Sequence, residues 1–148
     1  MKETKIIKIE GDESFILSTK LEDVLGCIVD GDKYAWALLW LEATGELADN
    51  VSMLEFERKI NEADYGKPMT WKELEELSTR FSQIINLLLI GDKQSSNIRR
   101  YASDDQMYLA CSYIIELIDS SYWIIHSNEI TTLDRMKERL DGVTFINE

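Results

Sequence analysis

Residues 107–128, MYLACSYIIELIDSSYWIIHSN, hold the longest concentration of β-branched and aromatic side chains in the sequence and read as two strands folded about a turn. Along the first limb Leu109, Cys111, Tyr113, Ile115 and Leu117 fall on one face. Ser112 and Glu116 share the other with Tyr108, Ala110, Ile114 and Ile118, so one face is apolar throughout and the other mixed. Asp119, Ser120 and Ser121 carry short polar side chains that bond their own backbone and favour a turn. Tyr122 to Ile125 then resume the apolar run, which predicts a hairpin at the centre of a sheet, with the rest of the chain built to cover it.

Before the hairpin, INLLLI at residues 85–90 is a short apolar run that suits a strand buried on both faces, closed by Gly91-Asp92. It follows a helix that opens on a capping box, Thr70 with Glu73. Trp71, Leu74, Leu77, Phe81 and Ile84 recur behind that box at three and four residues, with Lys72, Glu75, Glu76 and Arg80 facing water. The polar residues 93–105 read as a loop with at most a turn of helix. After the hairpin, Asn128 is placed to cap a last helix with the stripe Leu133, Met136, Lys137 and Leu140; Asp141-Gly142 ends it and residues 143–146 add a final strand.

The N-terminal half is less regular. Residues 5–10 alternate charge with Ile as an edge strand does, and Gly11-Asp12 turns into a second strand at residues 14–18. Residues 21–29 suit a short helix leading to a strand. YAWALLWLEA at residues 34–43 fits helical spacing and period two alike; bracketing turn residues and two Trp favour a strand. Ser52 with Glu55 opens a helix over Met53, Phe56 and Ile60 to about Asp64, where Gly66 suits a left-handed cap and Pro68 stops the chain. These parts describe one α+β domain over residues 1–148: a mostly antiparallel sheet with a central hairpin, packed by about three helices.

Composition narrows function by exclusion. Against 16 Lys and Arg stand 28 Asp and Glu, a formal net charge of -12. Such a field repels nucleic-acid phosphates and anionic lipid, and attracts a basic partner over a Debye length of about 8 Å in physiological salt. The start, MKETKIIKIE, has no secretory h-region, and no apolar run approaches a membrane span. Cys27 and Cys111 lie in apolar surroundings as buried free thiols, which fits the cytoplasm.

His126 is the single histidine, so His-pair metal sites are excluded, and it reads as a strand-end residue facing solvent or a neighbour. A Cys–His pair is disfavoured by apolar flanks around both thiols. Neither phosphate-loop motif, GxxxxGK[ST] or GxGxxG, is present, and the EF-hand spacing is missing, so no cofactor and no metal is called for. Arg99-Arg100 is the one local basic candidate and suits ion pairing with Asp104 and Asp105. Trp36, Trp40, Trp71 and Trp123 sit on core-facing stripes. What remains is carboxylates gathered around turns: Asp12-Glu13, Glu22-Asp23, Glu46 with Asp49, Asp104-Asp105, and Glu116 with Asp119. Such charges steer a basic protein and need no nucleophile.

The second half resembles small acidic bacterial proteins of the kind encoded beside polymorphic toxins as their immunity proteins. Carrying the likeness are MTWKELEELSTRFSQIINLLLIGDK with its step into Leu87-Leu88-Leu89-Ile90-Gly91, the Ile118–Trp123 turn, and the helix after Asn128. The resemblance implies a non-catalytic cytoplasmic protein that binds one cognate toxin domain, commonly a basic nuclease, and blocks its active site or substrate groove. Independently of it, Asp104, Asp105, Glu116, Asp119 and Ser120, at the entrance and turn of the hairpin, are the expected partner-binding residues. The other reading is a small-molecule-binding or regulatory domain with Trp36, Trp40 and Trp123 around a pocket.

Overall fold

The computed structural model describes residues 3–11, 17–47 and 50–146. Among them seven strands form one antiparallel sheet and five α-helices pack on it. In chain order these are β1 (Lys5–Glu10), α1 (Leu21–Leu25), β2 (Ala35–Gly45), α2 (Met53–Glu62), β3 (Lys67–Met69), α3 (Trp71–Ser78), β4 (Phe81–Asp92), α4 (Asp104–Ala110), β5 (Tyr113–Ile118), β6 (Tyr122–Ser127), α5 (Ile130–Arg139) and β7 (Val143–Ile146). The spatial order is β3-β2-β4-β5-β6-β1-β7, which puts β5 in the middle.

The hairpin β5–β6 turns where its chemistry dictates. Asp119 and Ser120 both take positive φ, 50° and 57°, which short polar side chains tolerate best after glycine. The Ser121 N–H closes the turn on the Ile118 carbonyl at 2.8 Å. Ser120 ties it to β4 twice, with its N–H on the Ile85 carbonyl and its hydroxyl on the Ile84 carbonyl, both at 2.8 Å. Period-two alternation then sorts the side chains. Leu87, Leu89, Tyr113, Ile115, Leu117, Trp123, Ile125, Ile7 and Ile9 enter the main core, which Leu21, Val24, Ile60, Leu74, Leu77, Leu133 and Met136 close from the helices. Within it Trp36 stacks on Tyr113 at 5.5 Å and meets Trp71 at 5.3 Å, and its indole N–H reaches the Gly31 carbonyl at 2.8 Å. A Cβ on Gly31 would come within 2.3 Å of the Trp71 ring, so that turn has room for glycine alone.

Several expectations hold. Residues 35–45 are strand, Ser52 and Thr70 cap their helices, and Gly66 takes φ 69°. Both thiols are free and buried.

Others are corrected. Residues 107–110, expected in the hairpin's first limb, belong to α4: Ser103 accepts the Gln106 N–H, Asp104 and Asp105 suit the first turn, and Met107 and Cys111, one turn apart, are both buried while Leu109 is 86% exposed. α3 ends at Ser78, and Phe81 and Ile84 are strand. β4 skips register opposite Glu42 and Ala43, leaving Ile85 extra, so its inward residues Phe81, Ile84 and Leu87 imitate helical spacing. β1 is not an edge, because β7 pairs outside it. No strand follows α1; a 3₁₀ turn at Gly31–Lys33 does. The N-cap of α5 is Glu129, not Asn128, and its N–H bonds Ser127 Oγ at 2.9 Å. Residues 12–16 of the anticipated second strand lie outside the described residues, and Leu17 and Ser18 are not strand.

One buried carboxylate joins β4, the following loop and the entry to β5. Asp92 Oδ1 accepts the Ser112 N–H at 3.0 Å and the Ser112 hydroxyl at 2.7 Å; Oδ2 accepts the Gln94 N–H at 3.1 Å and the Asn97 amide at 2.8 Å. Burial pushes its pKa up, but the bonds from Asn97, Ser112 and Gln94 outweigh it and hold the carboxyl below its ordinary value. Asp92→Ala should therefore cost about 2–3 kcal/mol in urea unfolding at neutral pH, from donors left unpaired. Since the native pKa is lowered, the contribution is full above the unfolded value near 3.9 and is lost as pH falls through the native one. The gap between wild type and variant should narrow in acid; a gap constant with pH would contradict this.

Candidate functional site

The same alternation that fills the core sends Ile6, Lys8, Leu88, Ile90, Ile114, Glu116, Ile118, Tyr122, Ile124 and His126 to the opposite face. Part of it is covered. Met107 and Cys111, from α4 and the residue that ends it, bury Ala37, Leu39, Ile90 and Ile114 in a second, smaller cluster. Tyr108 of α4 stacks face to face on His126, centroids 3.9 Å apart with planes at 10°.

Beyond α4 no described element covers the face, and its side chains are half-buried or exposed. One cross-strand row runs Trp40, Leu88, Glu116, Ile124, Lys8, Thr144 over six strands. Next to it lie Glu42 paired with Asn86, and Ile118, Tyr122 and Glu10 in line. Trp40 is 42% exposed, with its indole N–H on Glu42 Oε1 at 2.9 Å. Lys8 reaches Glu10 at 3.5 Å and lies over the Tyr122 ring at 4.6 Å.

Glu116 is the odd member. It is half-buried on the central strand between Leu88 and Ile124, and among the described residues its carboxylate has no hydrogen bond and no cation. Burial, then the charge of Asp104, pushes its pKa up. Burial lowers the pKa of His126, with Asp104 acting the other way, and raises that of the Tyr108 hydroxyl, with Asp104 adding to it. Folding α4 back over the sheet thus brings Asp104, one helical turn before Tyr108, into the field of Glu116 and His126, although twelve positions separate the two carboxylates.

The other candidate residues are placed apart from this pair. Asp105 is exposed in the first turn of α4, and Asp119 is exposed at the hairpin tip, where its backbone N–H bonds Asn86 Oδ1 at 2.9 Å. Ser120 is occupied in holding the turn to β4 and lines a cleft of about 630 Å³ with Leu117 and Trp123 on the other side of the sheet. Asp12, Glu13 and Asp49 lie outside the described residues.

Arg100 does not pair with Asp104 or Asp105. Its guanidinium donates to the Ala63 and Ile60 carbonyls at 2.9 and 2.8 Å, capping the end of α2, while Arg99 stacks on Tyr101 at 4.0 Å. Trp40 faces outward, not into the core, because a bulge after Leu38 breaks the alternation. Trp36 lines a shallow cleft with Met69 and Trp71, Trp123 lines the 630 Å³ cleft, and Trp40 lines neither, so the three do not share a pocket. Of the two readings of His126, solvent is excluded, since the ring is buried, and it lies against a neighbour, Tyr108. Trp40, Leu88 and Ile124 are the surface residues that sequence patterning misses, and no periodic signal marks them.

Burial raises the pKa of both thiols, that of Cys111 to about 11, which disfavours a nucleophilic thiolate. Among the described residues no group of three or more His, Cys, Asp or Glu is placed to hold a metal ion, and no helix is long and apolar enough to cross a membrane. Fold and site together define an acidic α+β domain with part of one sheet face left open. No family model, no curated protein and no solved structure matches the chain significantly.

Glu116→Gln should raise the thermal midpoint at pH 7. A raised native pKa means the proton is held more tightly in the folded state, so this group's favourable contribution is present in acid and lost as pH rises through its native pKa. The advantage of the variant should thus vanish below about pH 4, where glutamic acid is protonated in both states. Calorimetry across that range is the check, and an equal advantage at every pH would rule the argument out.

Proposed function

We propose that this chain is an acidic binding protein of the immunity type, which binds and neutralises a cognate basic toxin domain, possessing no catalytic activity of its own. The observation that carries this reading is the open sheet face, where Trp40, Leu88 and Ile124 alternate with Glu42, Glu116 and Glu10 on a chain of net charge -12. Carboxylates at the rim, Asp105 and Asp119 among them, raise the rate of encounter with a basic surface, and the apolar rows supply area that stays buried after docking. A nuclease domain fits this description best, since a surface built to hold phosphates meets carboxylates in their place. Binding in the cytoplasm would block the toxin's active site or substrate groove. The 630 Å³ cleft beside Trp123 supports the second reading, a small-molecule-binding or regulatory domain.

An adjoining gene that encodes a basic toxin domain is expected, and co-expression with that domain tests the proposal. Protection of the cell and a complex that survives gel filtration at physiological salt are the expected results. No protection and no complex, at low salt as well, overturns it. Asp105→Asn with Asp119→Asn, which remove two charges and keep short polar side chains at the helix start and in the left-handed turn, should slow association roughly several-fold at low salt while shifting the melting curve little.

A further inference from the structure

We propose that the open face is a docking surface for one arginine-bearing segment of a protein partner, with Glu116 receiving the guanidinium and Leu88, Ile124 and Trp40 receiving the apolar residues beside it. This rests on the binding-protein reading and names the chemistry that the face selects.

The argument starts from where Glu116 sits. β5 is bonded on both edges, and its neighbours in the row, Leu88 and Ile124, are aliphatic. A carboxylate at such a position loses hydration without gaining a partner, which destabilises the isolated fold. Among the described residues no cation reaches it: Lys8, two strands along the row, is engaged by Glu10 and by the Tyr122 ring, and Arg99 and Arg100 are committed to Tyr101 and to the end of α2. Asp104 adds a second negative charge from α4. The place is therefore short of one positive charge.

What can supply it is narrowed by the surroundings. A metal ion finds two carboxylates here and no third ligand among the described residues. Nucleic acid and anionic lipid are repelled by the net charge of -12, and a second copy of the chain brings that same charge with it. A basic protein segment is attracted. Arginine suits the position better than lysine, because its guanidinium is planar, weakly hydrated and able to bond both carboxylate oxygens while its edges lie on aliphatic side chains. Trp40, two strand spacings from Glu116 or about 10 Å, is at the reach of a side chain two residues away on an extended segment.

The test needs no toxin. Acetyl-Ile-Ser-Arg-Ser-Ile-amide, in which both Ile share the face of the arginine when the peptide is extended, is titrated into the full chain labelled with ¹³C at glutamate side chains and ¹⁵N at the indoles, with the citrulline peptide, neutral and isosteric, as control. Saturable shifts should centre on the Glu116 carboxyl and the Trp40 indole, and the citrulline peptide should bind at least about tenfold more weakly. Glu116→Gln should lose the arginine preference, Glu116→Asp should keep part of it, and Glu75→Gln, exposed on α3, should bind as wild type. Shifts spread over all carboxylates without saturation, or equal binding by Glu116→Gln, would overturn the proposal. The two readings separate cleanly: arginine selectivity without toxin protection leaves the docking surface and removes the immunity role, and protection that is unchanged in Glu116→Gln does the reverse.

Discussion

The structure depends on β5 being hydrogen-bonded along both edges. A strand so placed has no choice of register, so each residue is assigned to one of two faces, and every strand beyond it inherits the assignment. Tyr113, Ile115 and Leu117 thereby fix which side the helices α1, α2, α3 and α5 must cover. Ile114 and Glu116 fix what is left on the other. The core and the candidate site are one decision taken twice, once by the odd residues of the strand and once by the even.

The two faces are covered unequally, and the reason is local. Four helices bring Leu21, Ile60, Leu74 and Met136 to the inner face, whereas among the described residues the outer one has only α4, seven residues long, and the loop at 93–103. That cover buries Ala37, Leu39, Ile90 and Ile114, and Leu88, half-buried, packs at its margin. Asp92 anchors the start of the loop and Arg100 anchors its later part on the end of α2, so the cover is held in place by buried polar contacts as much as by packing. The rows beyond keep aliphatic and charged side chains side by side.

Features written in neighbouring residues were legible from the sequence. The Asp119-Ser120 turn, the Thr70–Glu73 capping box, the left-handed Gly66 and the last strand each follow from chemistry within four positions. Misreadings arose where the period itself is broken. The extra Ile85 makes an inward strand face look helical, and the bulge after Leu38 turns Trp40 outward against its pattern. Residues 107–110 alternate as a strand would, but Ser103 and two aspartates start a helix that the alternation cannot reveal. Partners remote in sequence were out of reach altogether: Arg100 chooses carbonyls some forty positions away over the two aspartates beside it. The same holds for the candidate site. Glu116 and Asp104 could be nominated as carboxylates near a turn and a loop, but their approach to each other is a product of α4 folding over the sheet.

An unpaired, half-buried carboxylate on a central strand is hard to account for by stability alone. Leucine or threonine at position 116 would suit β5 better and leave no desolvated charge. Folding tolerates the glutamate because its neighbours on the odd face are fully buried and hold the register regardless. Its presence is intelligible if the cost is recovered in a complex, where a cation brought by the partner is paired with a carboxylate already half-buried between aliphatic side chains. A charge pair formed that way discriminates as well as binds, since a partner lacking the cation would bury Glu116 with nothing to oppose it. The acidity of the whole chain then acts at long range on the rate of encounter, and this one carboxylate acts at contact on the choice of partner.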